Sequence, residues 1–279
     1  MFVTDSSHKV FRDLLISSVK SSVKSNECGL LLSGGVDSIS VGLASHYSGK
    51  SIHAYSFCLD TYESYDFTKA REVSQYMNWK FTPIIVPTQN LEEDFMRLVK
   101  LGCKKKTHFE TVFPFLYVYP KIKETYVLTG WGADGYYGVS RKAIQHFKEP
   151  KEIFDKFRND YFLPENTAGV EYHKRVSTKH NKVMVNPYLD KDVKSFFFNM
   201  DWYELNKPKQ KHHIRDAFEE FKSIGNIKPH KNLQIESKVD ELFETLLDNK
   251  NINFKNRSRI MDVCKDWSLS GSGSLDEFM

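Results

Sequence analysis

Gly29-Leu-Leu-Leu32 followed by Ser33-Gly-Gly-Val-Asp-Ser38 is the stretch on which the reading of this chain turns. An apolar run entering a glycine pair and then the helical stretch Ile39 to Tyr47 describes a buried strand, a tight turn and a helix. The first backbone N–H groups of such a helix have no intrahelical partner and sit at the positive end of its dipole, so the junction suits an anion. Gly34 and Gly35 let backbone approach a ligand without a Cβ between them, Ser33 and Ser38 offer hydroxyls, and Asp37 can hold a Mg2+ that screens phosphates. The alternative is a plain strand-turn-helix junction capped by Ser33.

Downstream, short apolar runs alternate with helical spacing. Ile52–Leu59, Phe81–Val86 and Tyr126–Thr129 read as strands two to four, with helices over Asp66–Met77 and Leu91–Leu101 and a leading helix over residues 8–24. That alternation predicts an α/β fold, a parallel sheet with helices on both faces and ligands at the carboxyl ends of the strands. Beyond Gly138 only helical segments are expected: Ile153–Tyr161, Gly169–His180, Asp190–Met200, Lys211–Lys222 and Glu236–Leu247. Residues 268–279 read as a flexible Ser/Gly tail.

Composition narrows the classes. A hydrophobic share of 40% and 21 Phe in 279 residues belong to a packed globular protein, and a net charge of +4 is too mild to indicate a nucleic-acid partner. Cys28, Cys58, Cys103 and Cys264 are scattered, without the spacing of a zinc site or a disulfide framework. No stretch approaches the length of a membrane span, and no leader pattern opens the chain, so a cytoplasmic protein is expected.

No lysine follows the glycines as in a Walker loop. Ser-Gly-Gly-X-Asp-Ser after a first strand instead resembles the pyrophosphate (PP) loop of the N-type ATP pyrophosphatases, among them asparagine synthetase, GMP synthetase and NAD synthetase. A second segment, Tyr126-Val-Leu-Thr-Gly-Trp-Gly-Ala-Asp-Gly-Tyr-Tyr-Gly138, is similar to the Ser-Gly-Glu-Gly-X-Asp-Glu segment of the synthetase domain of asparagine synthetase. Glu171–Arg175, Val185–Asp190, Lys211–Arg215 and Lys228–Lys231 resemble further landmarks of that domain, in the same order.

The resemblance covers roughly residues 8–250 and implies a PP-loop, adenine nucleotide alpha hydrolase-like fold over 8–138, followed by a mainly helical part to 267. It implies ATP and Mg2+ as cofactors, with Asp37 and Asp134 as the metal pair and Lys211 stabilising charge on the transferring phosphate. Nucleotide contacts are implied at Leu32, Ser33, Gly34, Gly35, Ser38, Leu59, Thr129 and Gly130, and Trp131 and Tyr136 are expected to wall the substrate pocket. The implied reaction is adenylation of a carboxylate or amide-like oxygen with release of pyrophosphate, then transfer to ammonia or an amine. Base modification of a nucleotide or nucleic acid, or an inactive nucleotide-binding relative, are the alternatives.

Two departures stand out. Trp131 occupies the place of the family's acid and Gly135 that of the acid further on, so the usual proton acceptor is missing there. Phe2 replaces the glutaminase nucleophile and the loop already begins at residue 33, so ammonia is expected from a separate glutaminase or from solution.

Overall fold

The computed structural model describes residues 6–103, 106–139, 150–162, 168–228 and 232–249. The tail 268–279, Cys264, His146 and Lys104–Lys105 lie outside the described residues.

The chain begins with α1 (Ser6–Ser22), then alternates β1 (Glu27–Leu31), α2 (Val36–Tyr47), β2 (Ser51–Leu59), α3 (Tyr65–Tyr76), β3 (Lys80–Val86) and α4 (Leu91–Leu101). The aromatic stretch that follows is helical, as α5 (Lys106–Val112) and α6 (Phe115–Val118), and leads to β4 (Tyr126–Leu128) and α7 (Ala133–Tyr137). Next come α8 (Lys151–Tyr161), α9 (Ala168–Lys179), β5 (Val183–Val185), α10 (Lys191–Phe198) and α11 (Trp202–Asn206). The described part ends with α12 (His212–Ala217), α13 (Glu220–Ser223), α14 (Leu233–Glu236) and α15 (Val239–Asn249).

Five parallel strands form one sheet in the order β3-β2-β1-β4-β5. Four of them are the predicted ones. The fifth corrects the expectation of helices alone after Gly138: Val183–Val185 pairs with Tyr126–Leu128 and extends the sheet at its edge. The single helix read over Lys211–Lys222 is two short ones, because the backbone is extended at Phe218 between them.

Strand residues alternate between two cores. Leu30, Ala54 and Leu128 face a layer containing Phe11, Leu15, Val41, Phe197 and Ile214, from α1, α2, α10 and α12. Tyr55, Val127 and Ile84 face the opposite layer of Phe95, Phe109, Val176 and Phe243, from α4, α5, α9 and α15, with Phe113 from the turn after α5. Burial on both faces is why the central strands read as nearly unbroken apolar runs. Among the described residues no helix is long and apolar enough to cross a membrane.

The α12 layer also buries a histidine pair. The His212 and His213 rings lie tilted at 36° with centroids 3.9 Å apart, and His213 is fully buried beside Phe196. Burial and the neighbouring His212 push His213 from 6.5 down to about 3. The unfolded chain therefore binds the extra proton between those values, and stability is complete above about 6.5 and declines as the pH falls toward 3. His213→Phe should flatten that acid limb: the urea midpoints at pH 5 and pH 7 should lie closer together in the variant than in the wild type. An unchanged spacing would remove His213 from the account.

Candidate active site

Strand order reverses between β1 and β4, the place where an open parallel sheet leaves a crevice beyond its carboxyl ends. The two motif segments leave the sheet here, one from each strand. Gly34 adopts φ +70°, and an added Cβ would lie 2.7 Å from the Asp66 carbonyl and from Lys69 Cβ, so the turn is pressed against the start of α3. Gly35 precedes α2 in an extended conformation, and no side chain caps the helix. Its first N–H groups thus point toward the crevice as anion donors.

Ser33 and Ser38 turn inward. The Ser38 hydroxyl donates to the Gly35 carbonyl at 3.1 Å and accepts from the Ser33 N–H at 3.1 Å, while Ser33 Oγ lies 3.1 Å from Ser38 Oγ. The two serines thus brace the loop from within.

Gly130, after β4, rests on the first turn of α2: a Cβ there would sit 2.7 Å from the Ser38 nitrogen and 2.8 Å from the Asp37 carbonyl carbon. Backbone is an unyielding neighbour, so Gly130→Ala should lower stability by about 1–3 kcal/mol and weaken nucleotide binding together. Thermal melts with and without MgATP would report both effects, and a variant with unaltered melts would show that the turn can yield. Thr129 fixes the next residue. Its hydroxyl donates to Asn186 Oδ1 at 2.6 Å and accepts from the Trp131 N–H at 3.1 Å. The segment after β5 buttresses α2 as well, through Tyr188, whose hydroxyl lies 2.7 Å from Ser40 Oγ.

Lys211 joins the two segments. It adopts φ +55° just before α12, a left-handed conformation that costs a non-glycine residue on the order of 1 kcal/mol. Its ammonium donates to Asp37 Oδ2 at 2.6 Å and to Asp134 Oδ1. Lys211 is buried, its side chain 4% exposed against 16% for Asp37 and 31% for Asp134, and Asp37 Oδ1 is buried too, so Asp134 is the more open of the two carboxylates. Burial alone would lower its pKa, but the two carboxylates outweigh burial and hold the ammonium well above the ordinary lysine value.

Two cavities meet at this cluster. The larger, about 280 Å3, runs over the carboxyl ends of β1, β2 and β4 and includes Leu32, Ser33, Gly35, Asp37, Ser38, Thr129, Gly130, Trp131 and Asp134. The smaller lies over the glycine turn and is lined by Gly34, Gly35, Asp37, Lys211, Arg215 and Lys228. The cations gather in the small cleft, while among the described residues no lysine or arginine lines the large one. Burial lowers the Arg215 pKa below its ordinary value, and nearby Asp37 offsets only part of that. The sequence marks Arg215 and Lys228 only as parts of segments resembling the family's landmarks; their convergence on the turn depends on the path of the chain after α12.

Two expected positions lie elsewhere. Leu59 is buried in the core, and Tyr55, Ser56 and Phe57 form the β2 side of the cavity instead. Tyr136 is stacked on Phe197 at 5.4 Å and tilted over Phe162, within the core behind Trp131. Trp131 does face the cavity, edge-on to Phe162 at 5.8 Å. The glycine in place of the further acid has a steric counterpart: a Cβ at Gly135 would lie 2.7 Å from Tyr161 and Phe162, so the missing acid makes room for the aromatic end of α8. Fully buried Arg158 locks that helix down, donating to the Phe197 carbonyl at 2.9 Å between the Phe154 and Phe198 rings.

The donor set also bears on a metal. Among the described residues no three His, Cys, Asp or Glu side chains converge as a ready-made cage. Two carboxylates facing one point fit Mg2+, which commonly takes one or two protein carboxylates and completes its shell with water and substrate phosphates. Asp37 and Asp134 are the residues that would hold it.

A search of curated proteins finds none that matches this chain. The family profile described as Asparagine synthase matches residues 10–183, which run from within α1 through β1 to β4, with the glycine turn and Asp134, to the first residue of β5. That match covers more than half of the chain, and with the parallel sheet and its glycine turn it establishes that the chain belongs to the asparagine synthase family of ATP-using ligases.

Proposed function

We propose that the protein adenylates a carboxylate with ATP, releases pyrophosphate and passes the acyl group to ammonia or an amine. The observation carrying this reading is the division of the site into a cationic cleft over an uncapped helix start and a largely apolar cavity beside it, with Lys211, Asp37 and Asp134 at their junction. The β- and γ-phosphates suit the cleft of Lys211, Arg215 and Lys228, and the adenosine suits the cavity by Leu32, Phe57 and Phe67. The α-phosphate then falls at the junction.

In the first step a carboxylate oxygen attacks the α-phosphorus, and the bond from that phosphorus to the oxygen bridging to the β-phosphate breaks. The electron pair leaves with pyrophosphate. In the second step an amine nitrogen attacks the acyl carbon, AMP departs with its oxygen, and the nitrogen loses a proton. Mg2+ held by Asp37 and Asp134 would supply neutralisation of the phosphate charge. Lys211 opposes the charge that builds on the phosphates during transfer, and the backbone N–H groups of the turn orient the leaving pyrophosphate.

Trp131 cannot take a proton from the attacking amine, which sets this chain apart from an ordinary asparagine synthetase at the second step. Incubation with labelled ATP and a panel of carboxylic acids tests the reading. AMP and pyrophosphate are the expected products; ADP and phosphate would overturn it.

A further inference from the structure

Resting on that functional reading, we infer that the acyl substrate is a compact aromatic monocarboxylic acid rather than an amino dicarboxylic acid such as aspartate. With the adenosine over β1 and β2, the space left in the large cavity lies at the β4 and β5 side. It is walled by Trp131, Val170, His173 and Met184, with Phe115 and Val118 at its back. The rings are held in place. Trp131 stands edge-on to Phe162 at 88°, and Phe115 stands edge-on to His173 at 4.3 Å and to Phe57 at 5.9 Å. Such fixed ring edges and faces favour a flat ring between them.

Charge points the same way. Burial pushes His173 down to about 4, so its imidazole is neutral near pH 7 and offers no cation. The charged groups lining the cavity among the described residues are the acids Asp37, Asp66, Asp134 and Glu236. One carboxylate on the substrate is consumed, since adenylation turns it into the uncharged acyl carbonyl of a mixed anhydride with AMP. A second carboxylate would stay buried among acids, with no lysine or arginine among the described lining residues to pair with, a heavily penalised arrangement. Aspartate carries that second carboxylate, whereas an aromatic monocarboxylic acid does not.

The test separates the pocket from the reaction. Benzoate, indole-3-carboxylate, succinate and aspartate are each titrated, by saturation-transfer NMR, into the full chain loaded with Mg2+ and α,β-methylene-ATP, which resists cleavage at the relevant bond. The two aromatic acids should bind at least ~10-fold more tightly than the two dicarboxylic acids. Trp131→Ala should lose that preference while still binding the nucleotide analogue, and Trp131→Phe should keep it. Equal or tighter binding of aspartate, or binding of none of the acids by the nucleotide-loaded protein, would overturn the inference. Acid-dependent exchange of labelled pyrophosphate into ATP is read alongside. Exchange driven best by aspartate refutes the substrate class and leaves the adenylation reading intact; selective binding of aromatic acids without exchange upholds the pocket and refutes the adenylation.

Discussion

Lys211→Met is expected to slow adenylation by about 10²–10³-fold, the loss typical of removing one preorganised charge-stabilising group. Methionine keeps much of the volume and removes the ammonium. In the free protein that ammonium is the shared partner of Asp37 and Asp134, so the variant also leaves two carboxylates facing one another at the junction of the cavities. Removing one partner of a fully buried ion pair costs about 3–5 kcal/mol, and the partial exposure of Asp134 places the expected loss toward the lower end. The two effects are separable. Raising Mg2+ should restore stability, because the carboxylates regain a cation, but not the rate, because the charge on the transferring phosphate stays unopposed. Pyrophosphate exchange and urea denaturation at low and high Mg2+ measure the pair. A variant that exchanges at the wild-type rate would take Lys211 out of catalysis.

The junction itself was legible in the sequence because three short motifs in a fixed order implied it: the glycine turn with Asp37, the second turn with Asp134, and Lys211 far downstream. Order carries information that spacing along the chain does not, since Lys211 is 174 residues from Asp37 yet bonded to it. What failed was register. Leu31, the last residue of β1, pairs with Tyr55, so β2 runs on past the edge where β1 ends. The crevice is therefore level with Tyr55 to Phe57, and Leu59, though the last residue of its strand, lies beyond it. Tyr136 failed for a different reason: it lies on α7 against the rings of α10, and nothing in a Gly-Tyr-Tyr-Gly run says which face turns to the cavity. The fifth strand is three residues long and begins at a half-exposed Val183, too short to show a period between polar neighbours.

Asp37→Asn should all but abolish Mg2+-dependent turnover, and Asp134→Asn should weaken it through the same site. Asparagine keeps the shape of each side chain and removes the charge that would hold the cation, so the fold should persist. Lys211 retains one carboxylate in either single variant. Asp37 lines both cavities and Asp134 the larger one, which puts both within reach of a cation arriving with phosphates. Each substitution should raise the Mg2+ concentration for half-maximal exchange by ~10-fold or more, worth about 1.4 kcal/mol of binding. Because both carboxylates would serve one ion, the double variant should lose less than the product of the two single losses. That non-additivity separates a shared metal from two independent contributions to stability. If the losses multiply, or if the Mg2+ requirement is the same in all four proteins, the pair does not hold a common ion. The Asp37–Lys211–Asp134 cluster would then be a structural lock between α2, α7 and α12.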